Sequence, residues 1–470
     1  MTTALPLIVD LDETLLRSDM LLENFWAGFS QDWRMPFKAA SGLAQGKPIL
    51  KAELAASGHP QVETLPYNAE VLAFIEDARA NGRPVVLATA TTQALADAVA
   101  SHLGVFDAVY GSDETRNLKG QAKADLLVDL YGEGGFAYIG DSTADLPVWK
   151  AAATAVTVNA APSLRTRVEA IAADVHHLGR HSGIGRGHLK ALRIHQWLKN
   201  ALIFLPMIVA HQFDAATFGA VLLAFVSFSL VASGVYVLND LLDLAADRAH
   251  PRKCNRPFAS GAVPLLQGSL MAPGLLGSGF LVALLVGPAF TLVMAIYFVL
   301  TTAYSLRLKR LAVIDICVLS GLYTTRIVAG GAAPGISLSV WLLALSMFLF
   351  LSLAAVKRQA ELVDAATETN TRGRDYNTED LPFVMMVALA AGMVSVVITA
   401  LYLNSDAVRE LYSMPDALWG ICVVLLYWIL RTILIAHRGG MHDDPVVFAA
   451  KDRVSYVCGA LILMAAYVGT

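Results

Sequence analysis

Charged residues are scarce in this 470-residue chain. Asp, Glu, Lys and Arg make up 16% of it, against roughly 25% in soluble domains. Hydrophobic residues make up 56%, and the mean hydropathy is +0.55. This composition excludes a fully soluble protein. The length leaves room for two or three domains, so a soluble domain joined to a membrane domain is compatible with these values.

Cysteine is also rare, and no two cysteines form a CxxC pair. The four cysteines are Cys254, Cys317, Cys422 and Cys458. A disulfide framework and a cysteine zinc site are therefore not expected. The N-terminus lacks the basic segment of a signal peptide, and its first apolar run ends in acidic residues. The first domain is therefore expected to stay in the cytoplasm.

The N-terminal third alternates short β-rich runs with helical patterns. Predicted strands cover residues 5–11, 84–89, 108–110, 136–140 and 153–158, and predicted helices cover 68–81, 92–103, 120–131 and 144–152. This alternation predicts a doubly wound parallel α/β sheet. In such a sheet the ligand lies beyond the carboxyl ends of the strands, so the residues that follow each strand are the candidate site.

Polar residues follow these predicted strands in a particular order. An Asp-x-Asp-x-Thr motif follows the first strand, a threonine the second, and a Gly-Asp-x-x-x-Asp motif the fourth, with two lysines near the start of the third helix. The set is Asp10, Asp12, Thr89, Lys119, Lys123, Asp141 and Asp145. Together these motifs resemble the haloacid dehalogenase (HAD) superfamily of phosphohydrolases over residues 4–175.

The resemblance implies a role for each motif residue. Asp10 would be the nucleophile that forms an aspartyl phosphate, and Asp12 the general acid and base. Thr89 and a lysine would bind the phosphoryl oxygens. Lys123 is preferred over Lys119 because it leads an apolar helical pattern.

The resemblance also implies a Mg²⁺ site. Asp141 would bind the ion with Asp145 beside it, and Asp10 and the backbone carbonyl of Asp12 would contribute. The alternative is a degenerate HAD domain that serves as a scaffold. Residues 18–65 look mostly helical and are expected to form a small cap over the site, which would exclude water.

A stretch without any acidic residue, 175–213, follows the first domain. Its lysines and arginines would lie at an anionic leaflet, where they either set topology or bind phosphate. The glycines in it suggest a joint. The predicted boundaries are 1–178 for the HAD-like domain, 179–198 for a basic linker and 199–470 for a membrane domain.

Nine apolar runs of about the length that spans a bilayer follow. They cover residues 195–212, 216–238, 264–285, 288–306, 313–331, 337–356, 382–403, 415–436 and 453–469. Loops after the even-numbered runs hold nearly all the basic residues, which places those loops in the cytoplasm. An all-α domain of nine transmembrane helices is predicted in a bacterial plasma membrane, with a cytoplasmic N-terminus and an outside C-terminus.

An Asp-rich motif follows the second of these runs. Asn239, Asp240, Asp243 and Asp247 are spaced to share one helix face. Carboxylates at the end of a membrane helix are costly without a cation, so this group is predicted to hold Mg²⁺. Basic residues that suit a diphosphate follow at once: Arg248, Lys253 and Arg256.

An NDxxDxxxD motif after the second span resembles the UbiA superfamily of intramembrane prenyltransferases, over residues 190–470. Three motifs resemble its decaprenyl-phosphate phosphoribosyltransferase branch: DRxHPxKxxRPxxxG from Asp247 to Gly261, RxxQWxKNxLxFxP from Arg193 to Pro206, and YSxxLKRxxxxD, which ends at Asp315. Where typical members carry a second Asp-rich motif, this chain has Asp315 alone.

This second resemblance implies Mg²⁺-dependent transfer of 5-phosphoribose from phosphoribosyl diphosphate (PRPP) to a polyprenyl phosphate. The acids, Asp315 included, would hold Mg²⁺ on the leaving diphosphate, and the bases after them would neutralise it. Lys309, Lys357 and Arg358 would bind the 5-phosphate or the lipid phosphate. Tyr304 is either a polar ligand or an interfacial tyrosine.

The fusion suggests that the HAD domain removes the 5-phosphate from the product. The competing hypotheses are a prenyltransferase that acts on an aromatic or haem acceptor, with the HAD domain acting on an unrelated phosphate, and a non-catalytic membrane protein. The expected partners are the lipid, PRPP and the membrane, and no nucleic acid.

Overall fold

The computed structural model describes residues 5–46, 49–50, 53–54, 57–113, 116–179, 185–367, 375–405, 408, 412–441 and 444–469. The chain forms two compact units. The first contains Met1–Leu192 and Tyr236–Ala272, and the second contains Arg193–Val235 and Pro273–Thr470. The Asp-rich motif therefore belongs to the same compact unit as the N-terminal domain. Residues 180–184 of the predicted linker lie outside the described residues.

The first unit contains a six-stranded parallel sheet in the order β3-β2-β1-β4-β5-β6. Its strands are β1 Leu7–Val9, β2 Val85–Thr92, β3 Ala108–Ser112, β4 Ala137–Gly140, β5 Thr154–Val158 and β6 Asp174–Leu178. The predicted doubly wound sheet is thus confirmed. The edge strand β6 was not predicted, because its sequence DVHHL is too polar to resemble the buried strands.

Helices cover the sheet on both faces. The α-helices of this unit are Met20–Gln31, Met35–Gln45, Ala69–Ala80, Gln93–Leu103, Gln121–Tyr131, Leu146–Ala151, Pro162–Glu169, Arg186–Ala191 and Leu244–Arg248. Successive side chains of β1 point to opposite faces: Leu7 and Val9 enter one core, and Ile8 enters the other. β1 therefore lies at the centre of a two-sided hydrophobic core.

The region predicted as a cap is helical where it is described. Met20–Gln31 begins at Asp19, whose carboxylate accepts from the N–H groups of Leu21 and Leu22, an ordinary N-cap. That residues 18–65 cover the hydrolase site stays a prediction.

The remaining long helices are strongly apolar. They are Ala215–Leu242, Leu265–Val286, Pro288–Leu306, Ile314–Ala332, Val340–Thr367, Leu381–Leu403, Trp419–His437 and Arg453–Gly469, close to eight of the nine predicted runs. Within the described residues, six helices are long and apolar enough to cross a bilayer. This is a multi-pass helical membrane domain, and the count of nine stays a proposal.

The first predicted run, 195–212, is not one continuous α-helix. A 3₁₀ segment covers Ile194–Phe204, and a short α-helix covers Leu205–Val209. Pro206 has no N–H to donate to the preceding turn, and Lys199 and Asn200 are buried polar residues in the 3₁₀ segment. The side chains of Lys199 and Asn200 make polar contacts inside the protein, with Asp444 and Ser229.

Candidate functional site

Three carboxylates converge at the carboxyl ends of β1 and β4. Because these two strands are direct neighbours, the residues that follow them, Asp10 and Asp141, meet at one edge of the sheet. Asp145 lies one turn further along the chain. One ligand oxygen from each of the three lies within 4.8 Å of the other two. The sheet topology thus assembles acids that are more than 100 residues apart.

Lys123 is the lysine that reaches this group. Its Nζ lies 2.9 Å from Oδ1 of Asp10 and donates to the hydroxyl of Tyr138 at 2.8 Å, which in turn donates to Asp145 at 2.8 Å. The Lys123 side chain is 3% exposed, whereas Lys119 is exposed to solvent. The geometry therefore favours Lys123 as the cation of the site.

Asp12 is held by two donors. Its Oδ1 accepts from the N–H of Met20 at 2.7 Å, and its Oδ2 accepts from the hydroxyl of Thr91 at 2.9 Å. Burial, and after it the charge of Asp19, raises the pKa of Asp12 to about 7. A carboxyl group with a pKa near neutrality suits a residue that must first donate and then accept a proton.

Thr89 and Thr91 lie at the end of β2. The Thr89 hydroxyl is fully buried and accepts from the N–H of Thr91 at 3.0 Å. The contact of Thr91 with Asp12 was not predicted. The run Thr89-Ala-Thr91-Thr at the strand end was the available signal, since alternate residues of a strand share one face.

The electrostatics of this site favour a bound cation. Burial raises the pKa of Asp141 to about 9, with Asp145 and then Asp10 adding to the shift. Lys123 supplies one positive charge to three clustered carboxylates. Carboxylate oxygens are the ligands that Mg²⁺ prefers, so the donor set fits a magnesium ion at Asp10, Asp141 and Asp145.

The Asp-rich motif forms a second acidic group. Backbone bonds from Asp243 to Asn239 (2.9 Å) and from Asp247 to Asp243 (2.8 Å) stack these residues one turn apart, as their spacing predicted. Oδ1 of Asp240 and Oδ2 of Asp247 both contact Nη1 of Arg256, at 3.1 and 2.6 Å. Because the two buried carboxylates converge on one point, here Nη1 of Arg256, the same pair of oxygens also fits a hard divalent cation. Burial raises the pKa of Asp247, although Arg256 opposes the shift.

The bases that follow the motif take different positions. Arg256 keeps 28% of its side chain exposed, and Lys253 begins a 3₁₀ turn, Lys253–Asn255, in which no residue is buried. Arg248, by contrast, is 6% exposed and binds both oxygens of Glu23. Its predicted role as a diphosphate ligand stays untested, and the structure gives it another partner.

Asp315 is enclosed in the second unit. Its carboxylate contacts Nη2 of Arg358 and accepts from the hydroxyl of Tyr376 at 2.8 Å. Arg358 also contacts Glu361. The same tyrosine oxygen accepts from the N–H of Val313, a β-branched residue at φ +67°, which is a strained conformation. Asp315 is thus already neutralised, and a metal-binding role for it stays a prediction.

Lys357 belongs to a cluster that was not predicted. Its Nζ lies 3.5 Å from Oδ2 of Asp444, and the Nζ of Lys199 lies 2.8 Å from the same oxygen. The Tyr323 hydroxyl also donates to Asp444. Burial would raise the pKa of Asp444, but Lys357 and Lys199 hold it well below its usual value. The QWxKN motif contains Lys199, whereas no local pattern indicated Asp444.

Tyr304 and Lys309, the remaining predicted ligands, lie at the end of one helix and in the turn that follows it. Tyr304 is half-buried in the last turn of Pro288–Leu306, and Lys309 is half-buried in the 3₁₀ turn Leu308–Arg310. That these two residues bind substrate stays a prediction.

Two family models match the chain. The UbiA prenyltransferase family matches residues 201–439, and the haloacid dehalogenase-like hydrolase family matches residues 7–150. These families generally use Mg²⁺, and the second match contains the three converging carboxylates Asp10, Asp141 and Asp145.

Three curated proteins show the extent of the similarity. "Uncharacterized protein y4nM" of Sinorhizobium fredii is 39% identical over 98% of this chain and 90% of its own length. "Nodulation protein NoeC" of Azorhizobium caulinodans is 37% identical over 58% of this chain and 89% of its own length. "Decaprenyl-phosphate phosphoribosyltransferase" of Mycolicibacterium smegmatis is 36% identical over 60% of this chain and 91% of its own length.

The fold, the two acidic groups and these matches agree on the assignment of each half. The chain belongs to the UbiA prenyltransferase family and carries a haloacid dehalogenase-like hydrolase domain at its N-terminus.

Proposed function

We propose that the membrane domain transfers 5-phosphoribose from PRPP to a polyprenyl phosphate, and that the N-terminal domain then removes the 5-phosphate from the product. The observation that carries the proposal is the convergence of Asp240 and Asp247 on Arg256, within a segment rich in further bases. This group suits a Mg²⁺-bound diphosphate, and the named relative of M. smegmatis supports PRPP as the source of that diphosphate.

In the transfer step, an oxygen of the lipid phosphate attacks C1 of the ribose. The bond from C1 to the diphosphate oxygen breaks, and the diphosphate leaves with the electron pair. Mg²⁺, when held by Asp240, Asp247 and their neighbours Asn239 and Asp243, supplies charge neutralisation on the diphosphate oxygens. The partly exposed guanidinium of Arg256 supplies further positive charge to the same group.

Lys357 is the proposed ligand for the remaining phosphate, either the 5-phosphate or that of the lipid. Its ammonium shares one carboxylate, Asp444, with Lys199, so the two lysines together carry more positive charge than that acid neutralises. Arg358 is engaged by both Asp315 and Glu361, which makes it the weaker candidate. Lys309 and Tyr304 complete the proposed set.

In the hydrolysis step, the Asp10 carboxylate attacks the phosphorus of the phosphomonoester, and the sugar oxygen leaves with a proton from Asp12. Water then attacks the aspartyl phosphate and gives its proton to Asp12, which releases phosphate and restores both carboxyl groups. Lys123 holds Asp10 in place and neutralises its charge.

The two reactions suit one chain, because the first product is a phosphomonoester, the substrate class of HAD phosphatases. Removal of that phosphate would pull a reversible transfer forward. The N-terminal domain is proposed to lie in the cytoplasm, where PRPP is available.

A double-label experiment tests the proposal. Purified full-length protein is incubated with Mg²⁺, polyprenyl phosphate and PRPP that carries ¹⁴C in the ribose and ³²P in the 5-phosphate. We expect ¹⁴C without ³²P in the lipid phase, both labels with Asp10→Asn, and neither with Asp240→Asn. Absence of ¹⁴C from the wild-type lipid would overturn the transfer step.

A parallel incubation with prenyl diphosphate and an aromatic acceptor tests the alternative reaction. Prenylated product there, together with an unlabelled lipid in the PRPP arm, would establish the prenyltransferase instead. If Asp10→Asn releases ³²P-phosphate at the wild-type rate, the hydrolase role fails while the transferase role stands.

A further inference from the structure

A buried ion pair joins the N-terminal domain to the Asp-rich segment. The two terminal nitrogens of Arg248 donate to the two carboxylate oxygens of Glu23, at 2.7 and 2.9 Å. The Glu23 and Arg248 side chains are only 3% and 6% exposed. The pair is bidentate and shielded from water, unlike a surface ion pair of the same composition.

Both members of this pair have further fixed partners. Ser18 donates its hydroxyl to Glu23, and the Nε of Arg248 donates to the backbone carbonyl of Ala259 at 3.1 Å. Each of the three guanidinium nitrogens of Arg248 therefore donates to the protein, two of them to Glu23 and one to Ala259. A guanidinium held in this way is a structural anchor.

Two more contacts join the same parts of the chain. The indole N–H of Trp26 donates to the hydroxyl of Ser269 at 3.0 Å. Gly261, at φ +69°, lies against Arg17 so closely that an added Cβ would stand 2.5 Å from that residue's Cβ. We call residues 17–26 the docking segment. It contacts the chain at Arg248, Gly261 and Ser269.

The two sides of this contact are connected to the two acidic groups, one to the hydrolase site and the other to the Asp-rich motif. The helix of the docking segment begins at Met20, whose N–H donates to Asp12. On the other side, Arg248 follows Asp247, which Arg256 ties to Asp240. One buried ion pair thus separates the general acid of the hydrolase from the metal motif of the transferase.

We propose that the N-terminal domain is a structural part of the transferase: through Glu23 and Arg248 it positions the Asp-rich segment, and Arg248 is a positioning residue and not a diphosphate ligand. Removal of one member of a buried ion pair leaves an uncompensated charge, which displaces the segment around it. The transferase therefore depends on the docking segment even when hydrolysis is abolished. The activity readout rests on the proposed function, and the structural readout does not.

The test compares Glu23→Gln with Arg248→Gln in the full-length protein. We expect both variants to lower the transferase kcat by at least about tenfold, the effect of 1.4 kcal/mol, with little change in KM for PRPP. Both should also accelerate hydrogen exchange in residues 236–248. Glu23→Asp, which keeps the charge, should recover most of the rate.

Controls separate positioning from general damage. The exposed pair of Asp32 and Lys38, whose side chains are 39% and 50% exposed, is the matched control, so Asp32→Asn should change neither readout. Slow exchange in Val85–Thr92 and Ala137–Gly140 verifies that the sheet of each variant is folded.

Two results would overturn the proposal. The first is a wild-type exchange rate in residues 236–248 of Glu23→Gln, which is decisive even if PRPP is not the substrate. The second is a normal transferase in Glu23→Gln beside a raised KM for PRPP in Arg248→Gln, which would make Arg248 a diphosphate ligand. Absence of PRPP turnover in the wild-type protein would instead count against the proposed function alone.

Discussion

The ammonium group of Lys123 lies 2.9 Å from Oδ1 of Asp10, and the two side chains come from different elements of the N-terminal sheet domain. Lys123 also donates to Tyr138, which donates to Asp145. The lysine is therefore held between the proposed nucleophile and the carboxylate group that fits Mg²⁺. Its position explains how three acids can be clustered in a buried site.

Substitution of Lys123 should abolish most of the hydrolase activity. Lys123→Met removes the positive charge that lies 2.9 Å from Asp10, so we expect phosphatase turnover to fall by about 10²-fold or more. Release of phosphate from a small phosphomonoester measures the effect. Lys119→Met is the matched control, since that lysine is exposed and should retain nearly full activity. Equal losses in the two variants would contradict the assignment.

Arg256 should matter to the transferase and not to the hydrolase. Arg256→Gln removes the cation that bridges Asp240 and Asp247, and loss of charge-assisted hydrogen bonds predicts a fall of about 10- to 100-fold in kcat/KM for PRPP. Phosphatase turnover on a soluble phosphomonoester should stay near the wild-type level. An unchanged transferase would show that the arginine has no part in diphosphate binding.

Removal of divalent metal should stop both reactions without unfolding the protein. The carboxylate groups at Asp10, Asp141 and Asp145 and at Asp240 and Asp247 fit Mg²⁺, and each reaction handles phosphate oxygens whose charge the ion would neutralise. We expect EDTA to eliminate label transfer and phosphate release, and added Mg²⁺ to restore them. Turnover that persists in EDTA in either assay would remove the metal from that half of the mechanism.

The number of spans can be tested from the C-terminus. Nine spans with a cytoplasmic N-terminus place the C-terminus outside. A C-terminal alkaline phosphatase fusion should therefore be active, and a C-terminal green fluorescent protein fusion should be dark. Fusions at the loop that begins at Arg438 should give the opposite pattern. A fluorescent C-terminal fusion would instead require an even number of spans, for instance because residues 194–209 do not cross the membrane.

Local patterns anticipated most of the fold. Strands such as Val85–Thr92 and helices such as Ala69–Ala80 and Leu265–Val286 lie within a few residues of their predicted bounds, because burial imposes a period or an apolar run on the sequence itself. The edge strand Asp174–Leu178 was not predicted, because its sequence carries polar residues where a buried strand would be apolar. Residues 195–212 were predicted as one apolar run, but the structure divides them into the 3₁₀ segment Ile194–Phe204, which buries Lys199 and Asn200, and the short helix Leu205–Val209.

The candidate hydrolase site followed from motifs at strand ends, because parallel strands bring their carboxyl ends to one edge. The sequence could not choose the partners of individual charges. Lys199 contacts Asp444 across 245 positions, and no periodicity links them. The contact of Thr91 with Asp12 was also not predicted, although Thr91 lies two residues beyond Thr89 and therefore on the same face of the strand.

The sequence by itself determined the two-domain composition, the acids of each motif and the long apolar helices, because these depend on residue type and short spacing. The tertiary structure decided which charges meet. Glu23 and Arg248 are 225 positions apart, and only the packing of the docking segment against the Asp-rich segment brings them within hydrogen-bonding distance. A buried charge must find an opposite partner, but which partner it finds is a property of the folded chain.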